Sequence, residues 1–372
     1  MKVQSAKLKI KKSSLVAWKY VVNHEWLIAI LITILIVLAG TIISTENNKY
    51  VNFNPNPVSR YTLESTKKLN YLANWDGVDY IQISQSGYSS FRLTNFFPLY
   101  PIIINLVNRL LRSPLISGIL VSWLFLAGAI FYYLKTIKLF FKVNDNLEAL
   151  KAVLLFILFP SAIYLMAVYT ESLFAFLSLG AIYYALKRRY LLAGLLTMFA
   201  TLTHINGVFL AVFIALILIE EKQKLKNVVS TFLIGFSGLV TYMISLWVKF
   251  RNPFEFIAAQ HDHGWLRHSF ISQLGSFSVN DYILAGLIIM SVIYWWKRRK
   301  SFAVYSFFYL LIPIIGGQFG GFPRYSLMAF PVQFMLYDYF RNKKIGYQLL
   351  LVLLTISWTY FMLDFAAGYI VG

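Results

Sequence analysis

Two aspartates three residues apart, Asp76 and Asp79, stand in the segment NWDGVDYIQISQSGY (Asn74–Tyr88) of a chain in which only 13% of residues are charged. On a helix, the i, i+3 spacing puts both carboxylates on one face. A carboxylate within hydrogen-bond reach of a hydroxyl can take its proton as a general base. The pair also fits a solvated loop anchored by Trp75 and Tyr80, whose rings suit the headgroup level of a membrane. Glu171 has two readings as well: the helix dipole and a Thr170 cap favour it at a helix start, and it can orient a hydroxyl or pair with an arginine. The triplet His261-Asp262-His263 has metal-ligand residue types, but i, i+2 histidines need an extended loop and further ligands, and no metal or other cofactor is expected.

The elements that must position these groups are membrane helices. Of 372 residues, 59% are hydrophobic, which excludes an ordinary soluble domain with a polar surface over one core. Runs such as Trp26–Ile43 approach the ~20 apolar residues that cross a bilayer. The net charge of +19 is spread in short basic clusters between apolar runs, as in cytoplasmic loops beside anionic lipid, and not as a nucleic-acid-binding face. Six lysines precede the first run, so residues 1–25 are expected in the cytoplasm.

The expected fold is all-α: a single integral membrane domain over 1–372, with about eleven spans near 26–43, 114–134, 152–169, 172–186, 190–219 (two short helices meeting at Thr203–Gly207), 228–248, 282–296, 302–319, 325–340 and 345–364. Pro160 is expected to kink the third span, and the acids fall on the external side. That topology puts 23 of the 34 basic residues in cytoplasmic segments. Two external segments are long enough for chemistry, 44–113 and 249–281, and the stretch after FFPLYP has the apolar spacing of a helix lying in the interface. Absence of cysteine excludes thiolate sites and disulfides.

WDGVDYIQISQSGY followed by FFPLYP resembles the W-D-x-x-x-Y pattern and F-F-P-L-Y-P of the PIG-V mannosyltransferase family and its prokaryotic relatives. The likeness continues through AVYTESLFAF, the stretch up to THINGV, FEFIAAQHDHGWLR and GFPRY, in order over residues 70–331. The chain departs from the pattern at His204, where arginine is usual, and at Asp79, a position the family does not consistently fill with an acid. The resemblance implies a membrane glycosyltransferase of the GT-C type. It implies a hexose, mannose first, moved with inversion from a polyprenyl phosphate to a glycolipid, glycan or protein acceptor on the external or lumenal face, in the plasma membrane if the source is a prokaryote. Carried over to this chain, it makes Asp76 the base and Asp79 a second acid, with Trp75, Tyr80, Tyr100, Glu171, His204, Gln260, Trp265, Arg267 and Arg324 facing substrate. The arginines and His204 would meet the phosphate, although external arginines also bind lipid phosphate without specificity and His204 can simply cap broken helices. The rival expectation is a transporter or flippase of a lipid-linked saccharide, which would place its ionisable groups at mid-membrane.

Overall fold

The computed structural model describes residues 24–47, 64–263, 278–316 and 321–369, and these contain helices and turns with no strand. The helices are α1 (Glu25–Asn47), α2 (Asp76–Ser86), α3 (Leu99–Leu111), α4 (Pro114–Phe141), α5 (Asn146–Ile157), α6 (Glu171–Leu186), α7 (Tyr190–Thr203), α8 (Gly207–Glu220), α9 (Leu225–Phe250), α10 (Glu255–Asp262), α11 (Val279–Trp296), α12 (Lys300–Gly316), α13 (Phe322–Ser326), α14 (Phe330–Phe340) and α15 (Lys344–Ala367). Short 3-10 segments cover Glu64–Ala73, Phe91–Asn95 and Ala162–Leu165.

Five helices, α1, α4, α9, α11 and α15, are long and apolar enough to cross a membrane. Their outer faces carry exposed aliphatic side chains, such as Ile34 and Leu38 on α1, Leu233 and Ile244 on α9, and Leu353 and Ile356 on α15. Water would penalise such faces, whereas hydrocarbon does not.

The six other segments read as spans from the sequence are shorter or interrupted. The 152–169 segment is not one kinked helix: α5 ends at Ile157 and the chain turns through Pro160 into the 162–165 segment. Proline lacks an N–H donor and disfavours helix in the residue before it, so two short pieces replace one rod. The 325–340 segment is broken likewise, α14 restarting with Pro331 in its first turn. The 16 residues of α6 span only about 24 Å. Residues 190–219 do form two 14-residue helices, α7 and α8, separated at His204–Asn206, and α3 occupies the stretch expected to lie in the interface.

The polar contacts sort to the two ends of the bundle. At one end Lys138 pairs with Glu25 at 2.8 Å, Lys151 with Glu148 at 2.5 Å, and Arg299 with Glu220 and Glu221 at 3.2 and 2.9 Å. These residues sit in the basic connections assigned to the cytoplasm. The other end gathers α2, the His204 turn, α13 and the last turn of α15.

Between α7 and α9 the packing depends on missing side chains. A Cβ at Gly238 would collide with the Met198 carbonyl and the Thr201 hydroxyl. That hydroxyl already donates to the Gly235 carbonyl at 2.9 Å across the interface. Small residues let membrane helices approach at backbone distance. Gly238→Ala is therefore expected to destabilise the protein by about 1–3 kcal/mol, read as a lowered unfolding temperature in detergent, since backbone must move to make room.

Candidate active site

The site is assembled around α2. Val168 N–H donates to the Leu72 carbonyl at 2.8 Å, the Tyr169 hydroxyl to the Asn74 carbonyl at 2.9 Å, and the Asn74 amide to the Phe365 carbonyl of α15 at 3.1 Å. These three bonds hold Trp75 in a conformation that L-residues avoid, with φ +58°. Backbone strain of this kind costs on the order of 1–3 kcal/mol and persists only where the surroundings over-determine it. Its effect is to turn the chain abruptly into α2, so that Asp76 and Asp79 both lie in the first helical turn. Gly77 completes the placement, because its bare Cα lets the turn sit close to the Ala73 side chain and the Val168 carbonyl.

Behind the acids, Tyr80 is buried and meets the edges of Phe96, Tyr100 and Tyr169, with ring centroids 5.1, 5.3 and 6.4 Å away. The Tyr100 hydroxyl is bonded to Ser122 at 2.6 Å and to the Gly118 carbonyl at 3.3 Å, so this residue anchors α3 on α4.

The centre of the site is Arg324 on α13. Its Nη1 donates to Asp76 Oδ2 and its Nε to Glu171 Oε1. The guanidinium lies over the ring of Tyr169 at 4.7 Å, with Tyr164 and Tyr325 at 5.7 and 5.8 Å. Residues 76, 171 and 324 are far apart in the chain, yet one buried cation joins them. Arg324 is 8% exposed and Glu171 4%, a depth at which an arginine persists only when paired. Thr170 does not cap α6 through its side chain, as the sequence suggested, and its hydroxyl has no hydrogen-bond partner. The role of Glu171 is instead to grip Arg324, while its second oxygen, Oε2, is buried without a partner, as is the Trp75 indole nitrogen.

Asp79 is set apart from this network. Among the described residues it has no ion-pair or hydrogen-bond partner, and burial, with the Asp76 charge adding to it, pushes its carboxyl up to about 7. A carboxyl raised from 3.8 to about 7 in the fold adds stability below its unfolded value, and that contribution is lost as pH rises through the folded one. Asp79→Asn is accordingly expected to unfold at a higher temperature than wild type at pH 8, with the gap closing toward pH 5. Parallel melting curves at the two pH values check this.

His204 occupies the break between α7 and α8. Its Nδ1 accepts the Asn206 N–H at 3.1 Å, so it does cap the turn, and its ring meets Tyr325 edge-on at 5.6 Å, one residue from Arg324. Gln260 lies on α10, half-buried, and the described hydrogen bonds do not join it to Arg324. That helix docks on the 91–95 segment through Asp262, paired with Arg92 at 2.6 Å, and His263, whose Nε2 is 3.0 Å from the Arg92 carbonyl. The expectations for Trp265 and Arg267 lie outside the described residues. No group of three His, Cys, Asp or Glu residues suited to a metal is found among the described residues. The ring set Tyr164, Tyr169 and Tyr325 was not anticipated, although Tyr169 and Tyr325 each belong to a motif that was, AVYTES and GFPRY.

The segments that carry Asp76 and Glu171 lie within a family signature. The profile described as Mannosyltransferase (PIG-V) matches residues 18–287, well over half of the chain. The chain belongs to the PIG-V mannosyltransferase family. Among its relatives, GPI mannosyltransferase 2 of Drosophila pseudoobscura pseudoobscura is 29% identical over 120 residues, which is 30% of this chain and 26% of that protein. GPI alpha-1,6-mannosyltransferase 2 of Cricetulus griseus is 30% identical over 146 residues, 37% of this chain and 29% of that protein. The aligned stretches thus span less than a third of these relatives' own length. Arg324 lies beyond the profile match, so its place beside Asp76 and Glu171 is known from the fold alone.

Proposed function

We propose that this PIG-V family protein is a membrane mannosyltransferase that moves a hexose from a polyprenyl-phosphate sugar to an acceptor hydroxyl on the external or lumenal face. The observation that carries the reading is the convergence of Asp76, Glu171 and Arg324 at one end of the bundle, opposite the end holding the basic helix connections. Asp76 takes the acceptor's proton, the acceptor oxygen attacks the anomeric carbon from the face opposite the leaving group, and the glycosidic electron pair leaves on the phosphate oxygen. The products are an inverted glycoside, a polyprenyl phosphate and a protonated Asp76. A lipid-borne donor suits a site next to α3, whose outward leucines, Leu106 and Leu110, are exposed and would suit a membrane interface. No metal is needed in this scheme, because Asp76 supplies the base and arginine stabilises the leaving charge. Acceptors with a lipid anchor are favoured by the same geometry, as are an external site and a cytoplasmic amino terminus.

Sealed proteoliposomes test this against transport. A labelled polyprenyl-phosphate mannose supplied on the site-bearing side, with mannoside and glucosaminide acceptors, is expected to give a product one hexose heavier than the acceptor. Movement of the intact lipid sugar to the other leaflet with no product would replace the transferase by a flippase.

A further inference from the structure

In the structure Asp76 and Arg324 occupy one another, whereas transfer asks the aspartate to face a hydroxyl and the arginine to face a phosphate. Two carboxylates already share the one guanidinium, so a phosphate arriving beside them would put three anions on one buried cation. Low-dielectric surroundings make such crowding expensive, and the cheapest relief is for one carboxylate to let go.

Exposure decides which. The Glu171 side chain is 4% exposed and has nowhere to go, while that of Asp76 is 23% exposed and can swing toward water. Once released, Asp76 remains in the first turn of α2, where the helix dipole favours a negative charge. Glu171 keeps its hold on Nε, and the faces of Tyr164, Tyr169 and Tyr325 bound the guanidinium, so the edge that Asp76 vacates is the one a phosphate would meet.

Resting on the transferase reading above, we propose that the Asp76–Arg324 ion pair is a latch opened by the donor: the phosphate displaces Asp76 from Nη1, and only then is that carboxylate free to act as base. The latch orders the reaction, since the base becomes available only after the sugar to be transferred is in place.

The test uses farnesyl phosphate, which carries the phosphate and an isoprenoid tail without a sugar, and farnesol as the control for the tail. Asp76→Asn removes the competing charge and is expected to bind farnesyl phosphate about tenfold more tightly than wild type, with farnesol binding unchanged. Arg324→Gln is expected to lose the preference for the phosphate over the alcohol. Unchanged or weaker farnesyl phosphate binding by Asp76→Asn overturns the latch. Should that variant not be monodisperse in detergent, wild-type protein labelled with carboxyl-13C aspartate carries the test. Its infrared carboxylate band is expected to shift with farnesyl phosphate and not with farnesol, and an unshifted band overturns the latch. These outcomes are separate from the transferase reading, which fails only if no product forms from any lipid-linked sugar.

Discussion

Asp76→Asn is expected to lower hexose transfer by about 10²–10⁴-fold, the range that a positioned general base contributes, while leaving the protein folded. An amide oxygen can still accept from Arg324, so the ring and backbone contacts that fix α2 stay in place. The loss is expected in kcat, because the proton moves only in the transition state. Asp79→Asn sets the comparison. Asp79 lies three residues further along α2 and makes no bond to Arg324, so its replacement should reduce transfer much less and alter chiefly the dependence on pH near 7. Initial rates for both variants, with a short polyprenyl-phosphate mannose as donor, distinguish the two acids. Equal losses would make the carboxylates a single unit.

The largest effect on stability is expected at Arg324. Arg324→Gln leaves Glu171 at 4% exposure and Asp76 half-buried, with no cation to share. Removing one partner of a buried ion pair typically costs about 3–5 kcal/mol, most of it from the uncompensated charge. Combining it with Glu171→Gln takes away the deeper of the two charges and is expected to restore much of the unfolding temperature without restoring transfer. That split separates the two duties of Arg324, structural glue and chemistry. A single Arg324→Gln variant as stable as wild type would show that the network contributes nothing to the fold.

Much of this site could be read from residue order. Asp76, Glu171 and Arg324 were each singled out by a short motif, and sidedness placed them at one end before any contact was known. Local chemistry also foretold the break at Asn206-Gly207 and the amphipathic helix α3, because turn residues and a one-sided apolar stripe act within a few positions. That Glu171 pairs with an arginine was one reading of the sequence; what could not be read was which arginine, or that Asp76 shares it. Arg324 was expected on a phosphate, yet it bridges two carboxylates more than 150 residues away in sequence, a pairing set by how α13 docks and not by any neighbouring residue. The strain at Trp75 was hidden for the same reason, since it is imposed by bonds from Tyr169 and Val168 to its flanks and by Asn74 on Phe365. The helix boundaries were hardest to read where prolines fall inside apolar runs: 152–169 and 325–340 read as single segments, but α5 stops at Ile157 ahead of Pro160, and α14 starts only at Phe330, with Pro331 in its first turn.

The central claim is inverting transfer from a lipid phosphate, and the stereochemistry of the product tests it most directly. Purified wild-type protein would be given farnesyl-phosphate mannose of defined anomeric configuration, 13C-labelled in the sugar, with an alkyl mannoside acceptor, and the product's anomeric carbon–hydrogen coupling read by NMR. The account predicts one new glycosidic linkage of configuration opposite to that of the donor, formed by wild type and not by Asp76→Asn. A product that retains the donor's configuration, or one made equally well by Asp76→Asn, would contradict it.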